Sequence, residues 1–592
     1  MADPRGRFLP PDERAAPQQE STAISDRHAC DVLVAGSGAG GFSVALTALK
    51  RGLDVLMVEK DALFGGTTAY SMGVIWIPGN AHLPPDAREG DKRAARDYLA
   101  YQAGNRFDAP RVDAFLEAGP QMLASFESEG FVSFLPAPTW ADYRPMEPGG
   151  SSGGRSLVPD GYDGSLIGAW FESLRPPVKT MMGFGGMMIG RTDVPHLFNM
   201  TRSWRSAAHV TGLVARYGCD RLTHRRGTRL VNGNGLIARM ARHAFDRGMA
   251  LWLSSPVVEL IQADGRVTGA IVARQDRIVR VTARCGVVLA TGGFPANEDL
   301  TRRLFGHRAA GKNHALLPPA SNAGDGARLA AAAGGYLSED VQHPAAWTPV
   351  SLVPQPDGAE IPFPHFIDRA KPGVIAVDRR GKRFVNEARS YHEFVPAMIE
   401  ACRHDAAVEA WIVCDRSAVH RFGLGAVGPP PVRHGPYLAS GYLKRAASPK
   451  ALAAACGVDA EGLAATIDRF NAHAANGVDP DFARGEDAYQ RFNGWAAHKP
   501  NPCLAPLATP PFYAVRVVPG DLGTFAGIAT NATAQVIDRD GRAVEGLYAV
   551  GNDALSVMGG TYPGAGITIG PAMTFGFIAA NHMAEGQRVG GS

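Results

Sequence analysis

Cysteine is scarce in this 592-residue sequence, and no two of its seven cysteines stand in a Cys-x-x-Cys spacing. Cys30, Cys219, Cys285, Cys402, Cys414, Cys456 and Cys503 are scattered and odd in number. The pattern excludes a disulfide framework and offers no metal-site spacing, so no metal is expected and reduced thiols in a cytoplasmic protein are. Charge imbalance is small as well. A net charge of +3 with no long basic run removes nucleic acid from the expected partners. No uninterrupted apolar run reaches the roughly 18–20 residues that cross a bilayer. Residues 1–28 are polar, lack the apolar core of a signal peptide and read as a loose extension. Glycine, by contrast, is abundant: 70 residues imply many tight turns and close backbone approaches. The apolar fraction of 45% and charged fraction of 20% fit a soluble globular protein, long enough for two domains with insertions.

Two distant stretches read as the ends of one binding site. Residues 31–35 suit a central parallel strand, followed by Gly36-x-Gly38-x-x-Gly41 and a helical pattern over 40–51. A second strand over 55–58 is closed by Glu59. Glycines between strand and helix let backbone approach a pyrophosphate at a helix N-terminus, and the acid can hold a ribose diol. A glycine-rich turn in an unrelated fold is the competing reading of the glycines alone. Gly65-Gly66-Thr67-Thr68 and Ser71-Met-Gly73 add small residues and hydroxyls suited to a pyrophosphate and a flavin. Near the other end, a strand over 547–550 stops at Gly551-Asn552, suited to a ribityl chain. Gly560-Thr-Tyr562-Pro-Gly-Ala-Gly566 and Ile567 then lead into a helix from about residue 569. These surroundings favour noncovalent FAD over NAD. No second Gly-x-Gly-x-x-Gly occurs, so a separate NAD(P) site is not expected and another, unidentified carrier exchanges the electrons.

Between the two ends, a helical pattern over 235–248 leads to strands over 250–253, 257–261 and 267–273. A buried strand over 286–290 stops at Thr291-Gly292. The middle differs: a long loop over 349–364, a strand over 373–377, and a turn at 379–382. Ser448-Pro-Lys is a capped helix start, and Leu463, Ile467, Phe470 and Ala474 make one helical stripe. The fold class expected is α/β, a split Rossmann-like FAD-binding domain with an inserted α+β substrate domain. The boundaries read as extension 1–28, FAD-binding 29–297, substrate 298–512 and FAD-binding again 513–592.

With these motifs the chain resembles the flavoprotein family of fumarate reductases and 3-ketosteroid dehydrogenases from about residue 29 to 588. Asn322-Ala-Gly-Asp-Gly326 matches a family signature, and the resemblance implies that Val257 passes the adenine. The fumarate reductase branch has a Lys-Arg-Phe-Val-Asn-Glu run followed by a proton-delivering arginine. Here Lys382–Glu387 keeps the run, but Tyr391 stands at the arginine position. A carboxylate-clamping arginine of that branch is replaced by Tyr562, and a histidine run by Gly523-Thr-Phe525-Ala-Gly527. A dicarboxylate needs fixed cations, so these losses favour a large, uncharged, oily ketone.

The same positions are similar to those of 3-ketosteroid 1-dehydrogenases. That resemblance implies that Tyr562 and Gly566 hold the C3 carbonyl oxygen, that Tyr391 removes the C2 proton, and that Tyr143 assists Tyr391. It places Phe366 (or Phe363) and Phe525 at the substrate pocket. The reaction implied is 1,2-desaturation, with hydride passing from C1 to flavin N5. Desaturation at C4, as in the 3-keto-5α-steroid 4-dehydrogenases, or an enone or enoate reductase running the other way, stays open. So does a flavin-binding protein without turnover. His392 is read as pointing away from the site. Met181, Met182, Met187 and Met188 read first as core filler, with an apolar entrance or a peripheral membrane contact as the alternative.

Overall fold

The computed structural model describes residues 26–183 and 186–590. Residues 1–25 of the expected extension lie outside the described residues, whereas Asp26–His28 open the first strand, Asp26–Ala35. This strand is the middle of an eight-stranded sheet. Val55–Val58 pairs parallel to it on one side and Arg277–Leu289 on the other. Val32, Leu33 and Val34 are fully buried, as expected for a strand covered on both faces. Beyond Val55–Val58 lies Ala250–Trp252. Besides Asp26–Ala35, the strand Arg277–Leu289 has two further partners. Its first part pairs with the antiparallel hairpin Val257–Ala263 and Arg266–Arg274, and its last three residues pair with the end of Ala543–Ala549. The chain thus returns near its C-terminus to complete the sheet it began.

The fingerprint helix, Ala39–Lys50, packs against the final helix, Ile569–Gly590. The approach is close enough that a Cβ on Gly576 would stand 2.8 Å from the Gly40 carbonyl oxygen. Ser43 donates its hydroxyl proton to the Met573 carbonyl across the same crossing. The nucleotide end and the ring end of the expected cofactor site are locked together by this helix pair.

A second, seven-stranded sheet forms the inserted part: five strands run in the order Glu360–Pro364, Ala345–Pro354, Phe512–Thr524, Ala410–Asp415 and Val374–Val377, and Ala315–Leu316 and Leu443–Ala446 also pair with Phe512–Thr524. Two strands here depart from the sequence reading. The expected loop over 349–364 is an antiparallel hairpin, with Val350 opposite Pro364 and Pro354 opposite Glu360. Pro362 and Pro364 lie on the outermost strand, where proline is tolerated, whereas Pro349 lies on the inner strand opposite Pro519. Phe512–Thr524 also runs through the expected domain boundary at 512/513, so the chain leaves the second sheet only after Thr524. The helix Ala460–Ala474 buries Leu463, Ile467, Phe470 and Ala474, the four residues of the stripe. Ser448 caps Pro449–Cys456 by accepting from the Ala451 N–H.

The segment from the Lys382–Glu387 run to Tyr391 is held by charge. The Arg383 guanidinium donates to Glu387 at 2.7 Å and to Asp479 at 2.8 Å, and Arg484 reaches Glu387 at 3.0 Å. Glu387 also accepts from the Ala376 N–H. Although burial alone would raise it, the two guanidinium groups pull the Glu387 carboxyl down to about 2. Removing one partner leaves buried charge uncompensated, so Glu387→Gln is expected to cost about 3–5 kcal/mol of stability, measured by denaturant unfolding. In the parent protein this contribution is fully present above the ordinary value of about 4.5 and fades as pH falls toward 2.

Candidate active site

The glycine fingerprint folds as a cradle with distinct jobs for each glycine. Gly36 has φ +110°, and a Cβ there would lie 2.1 Å from the Ala290 carbonyl oxygen. A Cβ on Gly41 would lie 2.2 Å from the Gly36 carbonyl. Gly38 has no such neighbour; a Cβ would meet only the Thr68 hydroxyl, at 3.7 Å. Gly36 and Gly41 therefore serve packing, and Gly38 faces the open side where a pyrophosphate can approach the helix N-terminus.

Opposite Gly38 stands the short turn Thr67–Tyr70, preceded by Gly66 at φ +52°. Thr68 accepts from the Ala39 N–H, and Thr67 accepts from Asn322 of the Asn322–Gly326 run. Ser71 bridges the Thr68 carbonyl and the Gly73 N–H, while a Cβ on Gly73 would collide with Gly233. Glu59 accepts from Ser37 through both N–H and hydroxyl, and from the Asp61 N–H. Burial pushes the Glu59 carboxyl up, and these hydrogen bonds oppose it. Val257 is buried at the start of its strand.

Asp553 is a cradle residue that sequence reading missed. It is buried, and its carboxylate accepts from the Thr291 hydroxyl and from the Thr291 and Gly293 N–H groups. It thereby ties the Thr291-Gly292 turn to the Gly551-Asn552 turn. The signal was present as an acid directly after Gly551-Asn552, but nothing local told a structural carboxylate from a solvated one.

Four tyrosines meet in one buried cluster. The Tyr143 and Tyr391 hydroxyls are 2.8 Å apart. The Tyr143 and Tyr562 rings stack at 5.3 Å with an interplanar angle of 6°, and Tyr391 stands edge-on to Tyr562 at 5.3 Å. Tyr489, absent from the sequence reading, lies 4.6 Å from Tyr143. Phe366 packs on Tyr391 at 5.0 Å, whereas Phe363 packs on His365 outside the cluster. Phe525 lies 6.0 Å from Tyr562. The expectation for His392 is corrected: it is buried against Tyr562 at 5.5 Å and accepts from the Trp347 N–H. Its position in the first turn of Tyr391–Ala401 turns it onto the same wall as Tyr391. Among the four methionines, Met187 and Met188 are buried, in agreement with core filler at those two positions.

Desolvation dominates the electrostatics. It holds Tyr143 and Tyr391 well above the ordinary phenol value and pushes Tyr562 up to about 12. His392 is held well below its ordinary value, so it is neutral. The nearby cation Arg369 donates to the carbonyls of His365, Phe366, Glu387 and Arg389. It fixes the backbone on either side of the pocket while drawing Tyr143 and Tyr489 down.

The loops that carry the tyrosines are tethered to each other. The Tyr143 N–H and the Tyr98 hydroxyl both donate to the Pro563 carbonyl, next to Tyr562. Asp142 accepts from the Trp76 indole, the Arg155 guanidinium and the Ser151 N–H. Gly566, at φ +101°, packs so tightly on Ile75 and Trp76 that a Cβ would stand 2.4 Å from backbone. The Gly566 carbonyl accepts from the Trp76 and Gly570 N–H groups, and Ile567 is buried beside it.

A glycine cradle, a buried acid at the end of the second strand and a helix N-terminus, joined through a sheet completed by the chain's return, fit a dinucleotide cofactor, and its family and relatives make the chain a flavin-dependent oxidoreductase. The chain belongs to the family described as FAD binding domain, which it matches over residues 31–569. It is 40% identical over 559 residues to a 4-oxocyclohex-2-ene-1-carboxylate 5-dehydrogenase of Sinomonas cyclohexanicum, covering 94% of each chain. It is 36% identical to a 3-oxosteroid 1-dehydrogenase of Mycobacterium tuberculosis, covering 94% of this chain and 98% of the relative. Its fold matches the crystal structure of the 3-ketosteroid delta1-dehydrogenase of Sterolibacterium denitrificans in complex with 1,4-androstadiene-3,17-dione. That match has a TM-score of 0.84 and 34% identity, and covers 94% of this chain and all of the other. FAD is the cofactor of this enzyme class. Among the described residues no helix is long and apolar enough to cross a membrane.

The division of labour among the glycines is testable by flavin content and thermal melting. Gly38→Ala is expected to fold like the parent yet bind FAD at least about tenfold more weakly, because its methyl group fills the pyrophosphate approach. Gly36→Ala is expected to lower the melting temperature as well, since its Cβ meets backbone.

Proposed function

We propose that this enzyme desaturates a cyclic ketone at the bond beside the carbonyl, as in 1,2-dehydrogenation of a 3-ketosteroid. The observation that carries the reading is the hydrogen-bonded Tyr143–Tyr391 pair set against Tyr562 in a buried aromatic pocket. Tyr391 is the base for the proton on the carbon beside the carbonyl. Tyr143 donates to the Tyr391 oxygen as it becomes negative, which offsets part of the cost of burying that charge. Tyr562, neutral at physiological pH, donates its hydroxyl to the ketone oxygen, with the Gly566 N–H as second donor. Each donor to a developing enolate contributes ~3 kcal/mol. Phe366 and Phe525 present apolar surface to the rings of the substrate. Gly36, Gly38, Gly41, Glu59, Gly66, Thr67, Thr68, Ser71, Gly73, Val257, Thr291, Gly292, Gly551, Asn552, Gly566 and Ile567 are the residues that would hold FAD noncovalently, and the bound flavin would supply the acceptor for the hydride of the neighbouring carbon. The electrons leave to a carrier other than NAD(P). Seven unpaired cysteines support a cytoplasmic setting.

Tyr391→Phe and Tyr562→Phe are each expected to lower turnover at least about a hundredfold while FAD content stays near the parent's. Because burial raises the Tyr391 phenol, parent turnover should climb as pH rises from neutral toward alkaline. A flat profile, or a parent-like rate in either variant, would contradict the assigned roles. Mass and NMR analysis of products from saturated and 4-ene 3-ketosteroids distinguishes 1,2- from 4,5-desaturation.

A second substrate reading, a ring ketone carrying a carboxylate, draws on the Sinomonas relative and on Arg191. This guanidinium lies 3.3 Å over the Trp140 ring and 4.5 Å over Phe492, with no carboxylate paired to it among the described residues. Burial pulls it down to about 9. Phe492 follows Tyr489 by one turn on Ala488–Asn493, so Arg191 ends the aromatic wall that begins at Tyr143. A substrate carboxylate would give it a counter-ion. Arg191→Gln is then expected to raise KM for 4-oxocyclohexanecarboxylate at least tenfold more than for a neutral 3-ketosteroid; equal changes would remove this reading.

A further inference from the structure

The hydroxyl pair of Tyr143 and Tyr391 is made by segments that reach it from different parts of the fold. Tyr391 opens a helix between two strands of the second sheet, Val374–Val377 and Ala410–Asp415. Tyr143 lies in a loop that precedes every strand of that sheet in sequence. A hydrogen bond weakens steeply once its distance or angle departs from the ideal, so the pair needs the loop and the helix in a fixed register. On the Tyr562 side the loop is held by backbone, through the Tyr143 N–H on the Pro563 carbonyl. On the Tyr391 side it is held by charge.

Arg144 directly follows Tyr143, and Glu393 follows Tyr391 by two residues in the first turn of Tyr391–Ala401. One terminal nitrogen of the Arg144 guanidinium donates to Glu393 at 3.1 Å, and the other donates to Glu147 at 2.9 Å. Both carboxylates have anchors of their own. Glu393 accepts from Arg389 at 3.2 Å, and its N–H donates to the Ser390 hydroxyl that caps the helix. Glu147 accepts from Gln102 of the helix Arg88–Ala103. The Arg144 N–H donates to the Tyr98 hydroxyl, which donates in turn to the Pro563 carbonyl next to Tyr562. One residue thus joins the segments of all three phenols, its backbone toward Tyr562 and its side chain toward Tyr391.

The Arg144 and Glu393 side chains are 39% and 20% exposed, whereas Tyr143 and Tyr391 are buried. A part-exposed ion pair adds little to the stability of a fold. Two nitrogens of one planar fork set on two anchored carboxylates do fix position. We propose that Arg144 is a positioning residue for proton abstraction, whose ion pair with Glu393 keeps the Tyr143 hydroxyl within donating distance of Tyr391 while charge develops there. The inference rests on the reading of Tyr391 as base. Arg144 acts through Tyr143 and not on the ketone.

The test measures FAD-loaded protein on a 4-ene 3-ketosteroid and on 4-oxocyclohexanecarboxylate, with a dye as electron acceptor. The parent is compared with Arg144→Gln, Arg144→Lys and Glu393→Gln, and Tyr143→Phe is measured with and without Arg144→Gln. Arg144→Gln is expected to lower turnover about tenfold, the loss that a misplacement well under about 1 Å produces. KM should stay within about twofold of the parent and the melting temperature within about 2 °C. Glu393→Gln should match it, and Arg144→Lys, which can meet one carboxylate at a time, should fall between. In Tyr143→Phe no hydroxyl remains to be positioned, so adding Arg144→Gln should change turnover less than about twofold. Parent-like turnover in Arg144→Gln, or an equal loss with and without the Tyr143 hydroxyl, would overturn the proposal. Should Arg144→Gln fail to fold, Glu393→Gln carries the same comparison. Tyr391→Phe in the same assay separates the two failures. A parent-like rate there, or a parent inactive on both ketones, removes the base reading and this inference with it. A collapsed rate there beside an unaffected Arg144→Gln removes this inference alone.

Discussion

The 2.8 Å contact between the Tyr143 and Tyr391 hydroxyls is the interaction on which the pocket depends. A phenol deep in apolar surroundings resists ionisation, so a buried tyrosine can act as a base only where something meets its charge as it forms. The flanking structure is arranged around that need. Asp142, Arg155 and Trp76 hold the Tyr143 loop; Arg383, Glu387, Asp479 and Arg484 hold the segment before Tyr391. Pro563 joins the first loop to Tyr562. Charges are placed behind the pocket, where they fix backbone, and phenols and apolar rings are placed inside it.

This arrangement explains how a scaffold shared with fumarate reductases can host a different substrate. In the proposed reading, the split sheet, the glycine cradle and the final helix would hold the flavin and make no demand on the far side of its ring. Specificity is left to a few residues on the inserted sheet and its neighbouring loops. Where guanidinium groups would select a dicarboxylate, phenols and a backbone amide favour an enolate in the proposed reaction.

Features with a local cause were legible in the sequence. The strand Val55–Val58 lies where its apolar run put it, and the four-residue stripe of Ala460–Ala474 is buried as its spacing implied. The glycine fingerprint announced itself because strand, turn, helix and acid occur in one short window. Features with a nonlocal cause were not legible. The hairpin Ala345–Pro354 and Glu360–Pro364 was hidden by its prolines, two of which lie on the edge strand, where proline is tolerated. Tyr489 carries no motif; what marks it is the company brought by segments far away in sequence. His392 was misread because helix geometry and the packing of Trp347, not its neighbour Tyr391, decide which way it turns. Tyr143 was legible only by resemblance, since its loop has no periodicity.

The central claim is that Tyr391 takes the proton beside a carbonyl whose oxygen is held by Tyr562 and Gly566. Solvent exchange tests it most directly. With the flavin reduced beforehand, no hydride can be accepted, and a bound ring ketone should still trade the hydrogen on its α-carbon for deuterium from D2O. The account predicts rapid enzyme-dependent deuterium incorporation in the parent and little above the uncatalysed rate in Tyr391→Phe. Equal incorporation by the two proteins would contradict it.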